Sequence, residues 1–288
     1  MPNRVEITIL VEDGGGESLT PEHGLAVWIR AGGVEGLLDA GQGKALVGNA
    51  AHLGMDLAQA QFLVLSHGHY DHSGGLAAFL EHNRLGPILF AEGALDPRWS
   101  LRPPSAPREI GIPRSAREAL NKLPPERIVP LDSPRFLGEG LGLTGPIPRT
   151  SGFEDPGGPF FLDREGFTPD PIRDDQALWI ATEEGTVIVL GCAHAGVVNT
   201  VEFVQKISPG PIRALVGGFH LLEAGPERLD LTIRALRKVD PDLIVPCHCT
   251  GDRAVQELSR AFPGRVIPGR AGMTLEFAGE KKPGEGRA

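Results

Sequence analysis

Positive charge is the first shortage. Against 37 Asp and Glu, the 288-residue chain carries only 28 Lys and Arg, a formal net charge of −9. Its summed field therefore repels phosphate backbones and anionic membrane surfaces, and nucleic acid is not an expected partner. Cysteine is scarce as well. Three thiols, Cys192, Cys247 and Cys249, cannot form a disulfide framework in so long a chain, which points to a reducing compartment and leaves them for metal or redox chemistry. No apolar run approaches the ~18 residues of a membrane span. The opening MPNRVEITIL also lacks the long apolar centre of a signal peptide, so a cytoplasmic protein without a membrane partner is expected. Aromatics make up 6% of the residues, with a single Tyr. What the chain has instead is 41% hydrophobic residues, enough for a real core, and nine histidines.

Short β-type runs alternate with helical patterns. RVEITILVE (4–12), GLAVWIRA (24–31), VEGLLDAG (34–41), FLVLS (62–66) and PILFAEG (87–93) read as strands. KALVGNAAHL (44–53) and GGLAAFLEHN (74–83), the latter preceded by Ser73, read as helices. Between Pro97 and Pro171 fall 15 of the 26 prolines, which rules out long regular elements there. Residues 94–172 are therefore expected to form a loop-rich insertion or lid, with one short helix near 114–123 and short strands such as RIVPL. Regularity returns with strands at 177–182, 186–193, 212–218, 243–247 and 273–277 and helices at 198–207, 227–239 and 252–261. Strands with interspersed helices in both halves argue for layered α/β packing within one domain over 1–280, followed by a flexible tail at 281–288.

The chemistry concentrates in LSHGHYDHSGG (65–75), directly after a strand. Alternate residues of an extended segment point the same way, so His67 and His69 can grip one cation while Asp71 and His72 turn toward a second position. Imidazole and carboxylate suit zinc, iron or manganese at neutral pH. His194, His220 and His248 each follow a further predicted strand. Carboxyl ends of strands share an edge in layered α/β proteins, so these histidines can converge on the first cluster. His23, His52 and His82 lie in a loop and on helices, where a surface role is expected.

HGHYDH is the H-x-H-x-D-H signature of the metallo-β-lactamase-fold superfamily, and LLDAG (37–41) resembles the Asp-Gly turn that precedes it there. The resemblance covers most of the chain. It implies an αββα sandwich of two sheets with helices outside, and two divalent metals, usually zinc, bridged by water or hydroxide. Within the superfamily, DDQAL (174–178), GCAHAGVVNT (191–200), GGFHL (217–221) and PCHCTG (246–251) resemble the branch named for a synthase of methanopterin biosynthesis. The chain departs from the pattern where members place a metal-bridging Asp after Gly: it reads Gly191-Cys192, with His194 two residues on. Either Cys192 bridges as thiolate or His194 supplies the ligand, and imidazole, needing no deprotonation, favours His194. Glu154 stands where a third histidine motif is absent. Neighbours on a strand point oppositely, so either His248 or the flanking Cys247 and Cys249 face the metals.

The implied site has His67, His69 and His194 on one metal and Asp71, His72 and His248 on the other, with zinc first and manganese or iron as alternatives. Asp71 orients the nucleophile through its second oxygen, Asp39 steadies a ligand histidine from behind, and His220 faces substrate or completes the metal site. Helix amides beside Asn199 and Thr200 are the expected receivers of a phosphate. Arg98, Arg102, Arg108, Arg114, Arg117, Arg135 and Arg149 in the insertion can pair with it, and Trp99, Phe160 and Phe161 can stack on a planar ring. The expected function is di-metal-dependent hydrolysis of a small anionic phosphorylated or phosphodiester substrate. A synthase acting at the same site is the nearest alternative. A flavo-diiron-like redox role is disfavoured because such relatives carry Glu where this chain has His69. Arg supplies 22 of the 28 basic residues, and Asn and Gln total only eleven, a composition that suits a thermophile.

Overall fold

The computed structural model describes residues 4–16 and 18–278. The expected tail at 281–288 lies outside them. In chain order the strands are β1 (Arg4–Val11), β2 (Ala26–Ala31), β3 (Val34–Leu38), β4 (Leu63–Val64), β5 (Ile88–Ala91), β6 (Trp99–Ser100), β7 (Arg108–Glu109) and β8 (Ile128–Leu131). They continue with β9 (Arg135–Gly138), β10 (Leu141–Leu143), β11 (Phe160–Phe161), β12 (Ala177–Thr182), β13 (Gly185–Leu190), β14 (Ile212–Gly218), β15 (Leu243–Cys247) and β16 (Thr274–Ala278). The helices are α1 (Leu46–His52), α2 (Tyr70–Ser73), α3 (Leu76–His82), α4 (Arg114–Leu120), α5 (Val197–Ile207), α6 (Pro226–Val239) and α7 (Asp252–Ala261).

A seven-stranded sheet in the order β16-β1-β2-β3-β4-β5-β8 packs against a six-stranded sheet in the order β15-β14-β13-β12-β10-β9. Period-two alternation drives this. Val5, Ile7, Ile9, Val27 and Ile29 of the first sheet meet Leu178, Ile180, Val187 and Val189 of the second in one buried cluster. Each such side chain contributes about 1.5–3 kcal/mol over its exposed state. The opposite faces are apolar too, and helices cover them. α1, α3 and α4 pack on Trp28, Leu37 and Leu63, while α5, α6 and α7 pack on Ile188, Leu190 and Leu215. The result is the expected four-layer αββα sandwich.

Residues 94–172 are less of an insertion than proline content suggests. β8 closes an edge of the first sheet, β9 and β10 join the second, and α4 buries Ala116 and Leu120 in the outer core. Pro130 is tolerated because β8 is an edge strand, where a missing N–H breaks no ladder. Only β6, β7 and β11 form a separate three-stranded sheet, and it lies over the carboxyl ends of the main strands.

Candidate metal centre

Six strand ends build the site. β13, β14 and β15 are parallel neighbours, so Cys192, His194, His220, His248 and Cys249, which follow them, share an edge. β4 leads into His67-Gly68-His69 and then α2, which carries Asp71 and His72. Gly68 has no alternative: a Cβ there would lie 1.9 Å from the Ala94 carbonyl oxygen. Its N–H donates to Asp174 Oδ2 at 2.8 Å, which fixes the backbone between the two histidines. β3 delivers Asp39, and β1 delivers Asp13. Asp39, Ala193, His220 and His248 all adopt positive φ, between 45° and 62°. Such left-handed L-residues are costly and cluster at functional sites.

Hydrogen bonds behind the histidines set their tautomers. Ser66 Oγ donates to Asp39 Oδ2 at 2.7 Å, so it can only accept from His67 Nδ1 at 2.9 Å. His72 Nδ1 donates to Asp39 Oδ2 at 2.7 Å, His194 Nδ1 to the Pro156 carbonyl at 2.8 Å, and His248 Nδ1 to Asp13 Oδ1 at 3.1 Å. Each of these rings therefore keeps its Nε2 lone pair for the interior. There, His67 Nε2 lies 3.0 Å from His69 Nδ1, His72 Nε2 lies 3.0 Å from Cys192 Sγ, and His248 Nε2 lies 3.4 Å from Asp71 Oδ2. Tetrahedral nitrogens at ~2.1 Å from one ion sit about 3.4 Å apart, so these spacings suit shared cations. His194 Nε2, His69 Nε2 and Asp71 Oδ1 are buried without a hydrogen-bond partner among the described residues. Such orphaned polar atoms, in a set of oriented imidazoles, a carboxylate and a thiol, fit a divalent metal.

Electrostatics supports the same reading. Burial, reinforced by the neighbouring histidines, pushes His67 and His194 well below the usual imidazole range, and burial does the same to His69. The shift favours the neutral ring, the form in which imidazole can bind a metal. Burial also opposes charge on His72 and His248, but Asp39 beside the first and Asp13 and Asp71 beside the second outweigh it and raise both. A metal ion at either position would compete with a proton for Nε2.

The structure brings together all six residues expected as ligands, and it corrects the choice between Cys192 and His194. Both are present: Cys192 Sγ groups with His67 and His194 on one side and with His72 and His248 on the other. Cys249 faces the site along with His248 because the chain leaves β15 in a tight turn over His248–Thr250 and does not continue as strand. Cys247 instead points into the core between the sheets.

Asn199 and Thr200 do not face the cavity beside the site. Asn199 Oδ1 accepts from the backbone of Thr150 and Ser151 at 2.7 and 2.8 Å, and Thr200 Oγ1 donates to the Gly196 carbonyl. The amides of Val198 and Asn199 are taken by the Glu154 carboxylate at 2.9 Å each. Glu154 is thus a built-in anion closing the first turn of α5, not a metal ligand, and the expected phosphate position there is already filled. His220 lines the cavity, but its Nε2 donates to the Gly157 carbonyl at 3.2 Å and its Nδ1 is buried. Of the two expectations for His220, that orientation suits a metal ligand better than a substrate-facing catalytic residue.

The cavity, about 430 Å³, is walled by His23, Tyr70, Arg102, Arg108, Phe160 and Leu222 around the metal-centre side chains. Of the seven arginines considered, Arg102 and Arg108 reach it. Arg98 is buried in an ion pair with Asp174, and Arg149 holds the carbonyls of His194, Pro171 and Ile172. Arg108 stacks 4.7 Å over the Tyr70 ring, and Arg102 pairs with Glu223. The Phe160 ring lies 5.2 Å from that of His69. Sequence reasoning missed His23 and Asp13. His23 Nε2 is 3.4 Å from Asp71 Oδ2, and Asp13 contacts both His23 and His248. Asp13 follows β1, so the strand-end rule that found the histidines would have found it.

A family model of the metallo-beta-lactamase superfamily matches residues 19–248. The 7,8-dihydropterin-6-methyl-4-(beta-D-ribofuranosyl)-aminobenzene-5'-phosphate synthase of Methanocaldococcus jannaschii is 28% identical, with 96% of this chain and 97% of that protein covered. An uncharacterized protein of the same organism is also 28% identical, covering 88% and 94% of the two chains. A solved metal-dependent hydrolase of the beta-lactamase superfamily superposes with a TM-score of 0.80 at 29% identity, covering 95% and 99%. The chain belongs to the metallo-beta-lactamase superfamily.

Proposed function

We propose that the protein is a dinuclear metal-dependent hydrolase of a small phosphorylated or phosphodiester substrate. The observation that carries this reading is the convergence of four tautomer-fixed imidazoles, His67, His72, His194 and His248, with His69, Asp71 and Cys192 on one buried centre that opens into an arginine-walled cavity. His67, His69 and His194 would hold one ion, Asp71, His72 and His248 the other, and Cys192 stands between them. Zinc is the first expectation, with manganese or iron as alternatives. When bound, such ions supply Lewis acidity and lower the pKa of water to near neutrality. Asp71 Oδ1, without a hydrogen-bond partner among the described residues, accepts a proton from the attacking water. Arg108 and Arg102 bind the substrate phosphate, and Phe160 shields the reacting bond from bulk solvent.

The test is turnover of bis-aryl phosphodiesters, phosphomonoesters and lactones by protein loaded with zinc or manganese. Phosphate-ester hydrolysis abolished by chelator is expected, and stoichiometric metal with no activity on any ester would overturn the reading. The full-length match to a synthase favours a second reading, bond formation on a phosphate-activated ribosyl substrate. Product formation from such a substrate, without hydrolysis of the simple esters, would replace the first.

A further inference from the structure

Three adjacent parallel strands each present one soft or borderline donor at the same edge. Cys192 follows β13, His220 follows β14, and Cys249 lies in the turn after β15. Their ligand atoms all lie within 4.8 Å of one another. Both thiols are buried. His220 has committed its Nε2–H to the Gly157 carbonyl, so its lone pair is on Nδ1, and that atom is buried without a hydrogen-bond partner among the described residues. Packing holds the group in place: a Cβ on Gly218 would lie 2.6 Å from Cys249 Sγ. All three residues also line the 430 Å³ cavity, which leaves a fourth direction open to a small exogenous ligand.

We infer that Cys192, Cys249 and His220 form a further metal position, selective for a thiophilic divalent ion such as zinc or cadmium, beside the dinuclear pair and sharing Cys192 with it. Two sulfurs and one nitrogen match the donor preference of zinc and its heavier congeners and reject manganese and magnesium, which prefer oxygen. Loading one divalent ion releases whatever protons the two sulfurs hold to solvent and forms two metal–sulfur bonds, with no change of oxidation state. The inference does not require the chain to be a hydrolase, because its readout is metal–sulfur bonding.

The experiment titrates the intact chain with cadmium alone, counting bound ions and following the ultraviolet sulfur-to-cadmium charge-transfer absorption. A parallel titration uses manganese alone. Cys249→Ser and His220→Ala should each lose one cadmium equivalent relative to the parent, and Cys249→Ser should lose about half of the charge-transfer intensity. Manganese occupancy should be the same in all three. Cys247→Ala, whose sulfur lies in the core, should behave as the parent. Unchanged cadmium count and absorption in Cys249→Ser or in a folded His220→Ala would overturn the inference. So would loss of every cadmium ion from both folded variants, since that would mean one indivisible cluster.

Discussion

Replacing Arg98 with Met tests how the small three-stranded sheet is tied to the metal-ligand loop. Arg98 is 2% exposed; its guanidinium donates to Asp174 at 3.0 and 2.5 Å and lies 3.0 Å from Asp170 Oδ2. Asp174 Oδ2 also accepts the Gly68 N–H. One carboxylate thus links an arginine beside β6 to the backbone between His67 and His69. Removing the guanidinium leaves two carboxylates buried without their cation, a change that costs about 3–5 kcal/mol. At ~2.1 cal/mol/K per residue, the unfolding entropy of this chain is about 0.6 kcal/mol/K, so Tm should fall by about 5–8 °C. Circular dichroism melts of the parent, Arg98→Met, Asp174→Asn and the double variant form a cycle. The double variant should recover part of the loss, because it no longer buries an unpaired charge on Asp174. Zinc affinity should weaken in both single variants. A Tm within about 1 °C of the parent, or strictly additive shifts, would refute the reasoning.

Asp175 provides a pH test. It is fully buried, with its Oδ2 accepting the Ala195 N–H at 2.7 Å, and burial pushes its carboxyl up to about 7. The unfolded chain releases this proton near pH 4 and the folded chain does not, so stability is lost as pH rises from about 4 to about 7, by about 4 kcal/mol. Asp175→Asn in chelator should flatten the parent's decline in urea midpoint across that window, and an unchanged slope would remove the argument. His69→Ala should lower bound metal and abolish hydrolysis together; full metal content would remove the proposed ligand set. Arg108→Ala should raise KM for phosphate esters about tenfold, as loss of one charge-assisted contact would, while leaving lactone KM unchanged. An equal rise for both substrates would count against a phosphate contact. The arginine-rich, amide-poor composition predicts a Tm above about 65 °C, measurable in the same melts.

Strand ends carried most of the site into the sequence. His67, His69, Asp71 and His72 are local to one turn, and His194, His220 and His248 follow β-type runs, so period-two patterning alone placed them at an edge. The side of the strand on which each donor falls was not legible. Cys249 reaches the site because the backbone turns to positive φ at His248, a choice enforced by tertiary packing. The role of Glu154 was hidden for a related reason. It lies 44 residues before the amide it caps, and no local pattern marks such a pairing. His23 sits in a loop ahead of β2, where only the return of β1 and β2 against the second sheet brings it to Asp71. RIVPL was legible as a strand despite Pro130, since an edge strand accepts what a central one cannot; that it closes the first sheet was not legible.

The left-handed backbone at Asp39, Ala193, His220 and His248 has a consequence for ion exchange. These conformations cost of order 1–3 kcal/mol each, and the surrounding sheets enforce them as the chain folds. Donor geometry is therefore set before any ion arrives, the opposite of a zinc finger, whose chain collapses only around its metal. A molecule built this way should lose and regain ions without unfolding, which circular dichroism before and after chelation would check. An ion bound there would then be decided by which metal the surroundings supply, as much as by the residues that would grip it.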